Sequence, residues 1–168
     1  MKCRLARDRM VALLIIIIVL LSDILTKRWA LKNLLNGAGP IDAIPGIFRF
    51  RFAWNTGVAF SFLSGWPVLV SVFTVLVLSA VAVFLFFAKN QRLFDRVCLA
   101  LIFAGGLGNF IDRIFYGAVV DFIEFTFISF PVFNFADVCV VTGTALYAVR
   151  VLIGDKRKAG SFEIHDRK

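Results

Sequence analysis

The chain has 168 residues, 60% of them hydrophobic and 20 of them Phe, with a mean hydropathy of +0.88. Soluble domains keep their apolar share just under half, so this composition excludes an ordinary water-soluble fold and points to a few spanning helices of roughly 20 apolar residues each. The net charge of +8 would suggest nucleic acid in a soluble protein, but beside apolar spans it reads as a topology signal.

The first apolar run, "VALLIIIIVLL" (Val11 to Leu21), is too short to cross a bilayer alone and reaches spanning length only by continuing through "SDILTKRWAL" to Leu31. It then carries Asp23 and Lys27 near its far end. The preceding "MKCRLARDRM" could be the basic start of a secretory signal peptide, but no small-x-small cleavage site follows Leu21, and an uncleaved first helix is expected. Gly and Pro punctuate the next stretch, after which "FRFRFAW" alternates strictly. Phe48, Phe50, Phe52 and Trp54 would point one way and Arg49 and Arg51 the other, a strand pattern. Such a ribbon could rest its aromatic face on lipid or protein, or be a plain structural hairpin.

A second span covers Pro67 to Ala88 without a charge, and Pro67 suits its first turn. A third runs from about Val97 to Phe115 and a fourth from about Phe133 to Ile153. With four crossings, the basic clusters Lys2 to Arg9, Lys89 to Arg96 and Arg150 to Lys168 all fall on one side, so both termini are expected in the cytoplasm. The expected organisation is a single integral membrane domain over 1–154 and a basic, solvated, unstructured cytoplasmic tail over 155–168. Cys3, Cys98 and Cys139 offer no pair in an extracytoplasmic loop, so no disulfide is expected. The single His165 lies in the tail, so no metal site is expected either.

The charges left inside this oily chain are the informative ones. "NFIDRIFYGAVVDFIEF" holds Asp112, Arg113, Asp121 and Glu124, and "FNFAD" adds Asn134 and Asp137. A carboxylate at membrane depth costs roughly 2.5 to 3.5 kcal/mol, so it usually pairs, faces a polar cavity or does chemistry. Pro131 prevents one helix from carrying both Asp121 and Asp137. They must come from two elements that meet where the third and fourth helices join. Two carboxylates close together in a poor solvent share a proton, which is the chemistry of an aspartic protease. Two other readings remain open. In one the acids are structural partners of Arg113 or Lys27; in the other a proton-coupled transporter or assembly subunit uses them as a relay or helix contact. "AGGLGN" follows no strand, so Gly105, Gly106 and Gly108 suit close helix packing rather than a nucleotide loop.

Taken together, "SDILTKRWA", "WNTGVAFSFL", "AGGLGNFIDR", "GAVVDF" and "FPVFNFADVCVVTG" resemble, in order and topology, the lipoprotein signal peptidases (signal peptidase II) over nearly the whole chain from the first helix to about Ile153. The resemblance implies an α-helical polytopic membrane protein with four transmembrane helices, a small extracytoplasmic β-cradle and a short periplasmic helix. It implies a bacterial inner-membrane aspartyl endopeptidase that removes signal peptides from diacylglyceryl-modified prolipoproteins, cutting before the lipid-modified cysteine. Asp121 and Asp137 are then the catalytic pair. Asp23, Lys27, Asn55, Asn109, Asp112, Arg113 and Asn134 are the supporting polar residues, with Gly105 beside them. Substrate and membrane lipid are the expected partners, a monomer is the expected state, and neither cofactor nor nucleic acid is expected. Ile24 after Asp23, and Val138 and Cys139 after Asp137, depart from common family residues without replacing a proton-transfer group.

Overall fold

The protein is described by a computed structural model over residues 2–35, 39–57, 66–88 and 91–165. Helix α1 (Lys2–Ala30) ends in a wider π turn at Leu31–Leu35, and strands β1 (Ile41–Ile44) and β2 (Phe48–Asn55) follow. Helices α2 (Pro67–Phe87) and α3 (Leu93–Tyr116), strand β3 (Val119–Phe125) and helix α4 (Phe135–His165) complete the chain. All four α-helices are long and apolar enough to cross a membrane. The π turn at Leu31–Leu35 is the one short helix among the described residues; 58–65, which include the end of the "WNTGVAFSFL" motif, lie outside them.

Helix α3 touches each of the other three. In lipid the apolar effect cannot draw helices together, so close approach must come from small residues. The three glycines of "AGGLGN" serve three different neighbours. A Cβ on Gly105 would meet the Ala136 carbonyl of α4 and lie 2.8 Å from Val140 Cγ2. One on Gly106 would lie 2.8 Å from Leu78 Cδ2 of α2, and one on Gly108 would meet the Asp23 carboxylate of α1. Ala100, Ala104 and Leu99 continue this contact into a core shared with Ala12, Ile16, Leu85 and Cys139. Cys98 and Cys139 are free, buried thiols, and the side chain of Cys3 lies outside the described residues.

The bundle end that bears the N-terminus is tied by arginines. Helix α2 has no basic residue in its last turn, yet its final carbonyls need donors. Arg96 of α3, fully buried, donates to the carbonyls of Leu85 and Ala88, and Arg9 of α1 donates to Phe86 O at 2.6 Å. Arg150 of α4 grips Asp95 at 2.6 and 2.9 Å.

At the opposite end β1, β2 and β3 form an antiparallel sheet in that order. Gly117, at φ 71°, takes the left-handed conformation that ends α3, and β3 begins two residues on. The "FRFRFAW" segment is a strand as its alternation predicts, but the ladder jumps between Phe50↔Ile123 and Ala53↔Asp121. That bulge adds one residue to β2 and reverses which residues share a face beyond it. The aromatics pack in two groups, Phe48 with Phe50 and Phe52 with Trp54, while Trp29 of α1 stands edge-on to Phe50 at 5.1 Å. Arg49 and Arg51 both bind Glu124 Oε2, at 2.5 and 2.9 Å, and hold that carboxyl below its usual range.

A second expectation is corrected. Helix α4 does not stop near Ile153 but runs to His165, through residues expected to form an unstructured tail. Extending an existing helix gains one hydrogen bond per residue without a new nucleation cost, and no proline interrupts it.

The α3–α4 crossing gives a direct test. Gly105→Ala forces a methyl onto the Ala136 backbone, so we expect a loss of about 1–3 kcal/mol, read as a lower thermal unfolding midpoint in detergent. An unchanged midpoint would show that the crossing does not depend on this glycine.

Candidate active site

The polar residues singled out in the sequence converge where the sheet meets the bundle. Each reaches this place for a local reason. Asp23 and Lys27 are one helical turn apart and share a face of α1. Asn109, Asp112 and Arg113 form the corresponding face of the last turns of α3. Strand β3 brings Asp121, and Asn134 with Asp137 opens α4.

Lys27 is the hub. Its ammonium lies 2.8 Å from Asp23 Oδ2 and 3.0 Å from Asp112 Oδ2, and donates to Asn109 Oδ1 at 2.9 Å. All four groups are buried. Asp112 Oδ2 also accepts the Val120 backbone N–H at 3.1 Å, which fixes the strand residue just before Asp121. The buried ammonium thereby links α1, α3 and β3.

Three carboxamides surround the remaining two carboxylates. Asn134 Nδ2 donates to Asp121 Oδ1 at 2.7 Å, and Asn55 Nδ2 to Asp121 Oδ2 at 2.9 Å. Asn109 Nδ2 donates to Asp137 Oδ1 at 2.7 Å, and the Asn134 backbone N–H to Asp137 Oδ2 at 3.1 Å. The Asp137 N–H returns a bond to Asn134 Oδ1 at 2.9 Å, so Asn134 caps α4 and touches both acids. Every carboxamide oxygen is itself occupied: by Lys27 and Asn134 on Asn109, by Asp137 N–H on Asn134, and by Gly57 N–H at 3.0 Å on Asn55. Their N–H groups are therefore aimed at the carboxylates. The bulge in β2 matters here, because Ala53 pairs with Asp121 and Asn55 lies two residues on. Strict alternation would have turned Asn55 to the side of Arg49 and Arg51.

Among the described residues, neither Asp121 nor Asp137 has a cation within salt-bridge distance. Lys27 is committed to Asp23 and Asp112, and Arg113 donates to the carbonyls of Gly57 (2.7 Å) and Asn109 (3.3 Å). Burial, and then the negative field of Asp137, push the Asp121 carboxyl up to about 7. A carboxyl near neutrality can hold or release a proton under working conditions.

A cleft of about 600 Å³ opens onto Asp137, with Asn55, Asn109 and Arg113 also on its polar side and Thr74, Val138 and Val141 among its other walls. Thr74 lies in no motif, and only the folded bundle brings it to the same cleft as Val138 and Val141 of α4. A second feature hidden from sequence is the backbone of Phe133, whose carbonyl accepts from Ile123 at 2.8 Å and whose N–H donates back at 3.0 Å, which ties the approach to α4 onto β3. Gly105 stands apart from the polar network, at the helix crossing. No group of three or more His, Cys, Asp or Glu able to hold a metal occurs among the described residues.

The fold defines a multi-helix membrane protein, and comparison with known proteins gives its class. Residues 15–153 match the family of signal peptidase (SPase) II. The lipoprotein signal peptidase of Clostridium acetobutylicum is 36% identical over 151 residues, 88% of this chain and 97% of that protein. That of Streptococcus thermophilus is 38% identical over 155 residues, 91% and 98% of the two chains. Among solved structures, a bacterial membrane enzyme determined in meso at 2.3 Å superposes with a TM-score of 0.81 and 32% identity, over 88% of this chain and 91% of that one. Another, at 1.9 Å, gives 0.75 and 33%, over 84% and 92%. The chain belongs to the signal peptidase II family.

Among the described residues, Asn134 is the one whose side chain hydrogen-bonds to both Asp121 and Asp137, to the carboxylate of the first and the backbone N–H of the second. Asn134→Ala should cost about 1 kcal/mol as a lost helix cap and lower proteolytic turnover by at least about tenfold, since one donor leaves Asp121. A cleavage assay alongside a melting curve separates the two effects; unchanged turnover would remove Asn134 from the machinery.

Proposed function

We propose that this protein is the aspartyl endopeptidase that removes signal peptides from diacylglyceryl-modified prolipoproteins, cutting on the N-terminal side of the lipid-modified cysteine, with Asp121 and Asp137 as the catalytic pair. The observation that carries the reading is the pair itself. Two acids from separate elements are held by neutral carboxamides and joined through Asn134, with no cation on either among the described residues, and Asp137 lines a largely apolar cleft.

The chemistry follows from sharing one proton. The ionised carboxylate takes a proton from water as its oxygen attacks the scissile carbonyl carbon, and the protonated partner gives its proton to the carbonyl oxygen. A neutral gem-diol results. Proton transfer to the amide nitrogen then breaks the C–N bond, and the diol collapses to a carboxylic acid and an amine, so the pair ends with the single proton it began with. Arg113, through Gly57 and Asn109, orders the backbone at the edge of the cleft. The enzyme acts as a multi-pass protein of the bacterial plasma membrane. The bundle end with Arg9, Arg96 and Arg150 lies in the cytoplasm, and the catalytic pair near the extracytoplasmic face. The apolar walls of the cleft suit the acyl chains of a lipidated substrate.

A transporter reading is not favoured: the family is one of peptidases. The test is cleavage of a purified diacylglyceryl-modified prolipoprotein by detergent-solubilised protein, beside Asp121→Asn and Asp137→Asn with all three shown folded. Either variant should lose on the order of 10²–10⁴-fold in turnover. Cleavage at the wild-type rate by one of them removes that residue from the mechanism.

The pH dependence has a defined sign. Asp121 keeps its proton below about 7 and loses it above. Because the reaction needs one proton on the pair, kcat should fall as pH rises through about 7. A plateau in kcat extending well above pH 9 would contradict a shared proton.

A further inference from the structure

The two carboxylates of the pair are held in unlike ways. Among the described residues, Asp121 meets the side-chain amides of Asn55 and Asn134, and it is 1% exposed beneath the cleft. Asp137 lines the cleft, sits in the first turn of α4 where the helix dipole favours negative charge, and accepts a backbone N–H as well as the Asn109 amide. Behind Asn109 stands Lys27. An asparagine amide can present either its oxygen or its nitrogen to a neighbour. Here the Lys27 ammonium, which has no acceptor, occupies Asn109 Oδ1 at 2.9 Å. The Asn109 N–H₂ must then face Asp137.

We propose that Lys27 is a positioning residue that acts through Asn109 to make the pair unequal, holding the negative charge on Asp137 and the shared proton on Asp121, so that Asp137 is the base toward water and Asp121 the acid toward the carbonyl oxygen. This rests on the endopeptidase reading and assigns the steps within it. Asp137 takes the proton from water, and Asp121 gives its own to the carbonyl oxygen. Asp137 then passes its proton to the amide nitrogen while Asp121 recovers one from the collapsing diol, so the resting protonation returns.

The groups that face the pair are Asp23 and Lys27 from α1, Asn55 from β2, Asn109, Asp112 and Arg113 from α3, and Asn134 at the start of α4. Lys27 is offset by two carboxylates, so its simple removal would leave both Asp23 and Asp112 as uncompensated buried charges and could unfold the protein. Lys27→Met combined with Asp23→Asn keeps the local net charge, removes the ammonium at Asn109 together with one of its two carboxylate partners, and leaves Asp112 its bond from the Val120 N–H. The positive field of Lys27 opposes protonation of Asp121, so its loss should strengthen the hold of the pair on its proton.

The experiment measures kcat and KM against pH for cleavage of a diacylglyceryl-modified prolipoprotein by full-length protein in detergent. It compares wild type, Asp121→Asn, Asp137→Asn, Lys27→Arg and Lys27→Met/Asp23→Asn, each with a melting curve. In the double variant we expect kcat to fall on the order of tenfold with KM within about twofold, and the alkaline limb of the profile to move to higher pH. Lys27→Arg should keep the wild-type limb and recover part of kcat. A double variant that is folded and keeps the wild-type limb, or one whose loss lies wholly in KM or in stability, overturns the proposal while the endopeptidase stands. Failure of folded wild-type protein to cleave overturns the endopeptidase reading and the proposal with it.

Discussion

The Lys27 ammonium, buried between Asp23, Asp112 and Asn109, is the contact on which the geometry of the site depends. An unpaired charge in such surroundings would be costly, so the two carboxylates and the amide oxygen must stay within about 3 Å of it. That requirement brings α1 against α3. Through the Asp112 bond to the Val120 N–H it also fixes the height of β3, and through Asn109 it reaches α4. Asp121 and Asp137 are thus placed by an ion cluster that includes neither of them.

The separation has a chemical consequence. Had Lys27 or Arg113 bonded an acid of the pair directly, a strong ion pair would have held that carboxylate ionised and spent its proton chemistry. Neutral amides satisfy the lone pairs without supplying a full charge, and burial then lifts Asp121 toward neutrality. Basicity is kept at the pair, while the charge that organises the site is kept one residue behind it.

Lipid as solvent explains the division of labour along the bundle. Apolar side chains such as Ile17, Ile18 and Phe73 face outward at no cost, and helix association rests on small residues and polar ties. Gly105, Gly106 and Gly108 let α3 approach α4, α2 and α1, while Arg9 and Arg96 satisfy the last carbonyls of α2 at the end remote from the site. The sheet is held differently. Trp29, Phe50 and Phe122 dock it on α1, and Glu124 draws Arg49 and Arg51 together across the strands.

By itself the sequence determined the four apolar helices, the strand in "FRFRFAW", the packing role of the glycines and the polar residues worth attention, because hydropathy, periodicity and composition act locally and add along the chain. The tertiary structure decided which donor meets which acceptor. Lys27 is close enough in sequence to pair with Asp23, but only the α1–α3 approach gives it Asp112 and Asn109 rather than an acid of the pair. Only the bulge after Phe50 turns Asn55 toward Asp121, and alternation read on paper sends it the other way. The same holds for the burial of Asp121 against the cleft position of Asp137, and for the run of α4 to His165. These depend on distances between elements far apart in the chain, which a linear pattern of residue types does not encode.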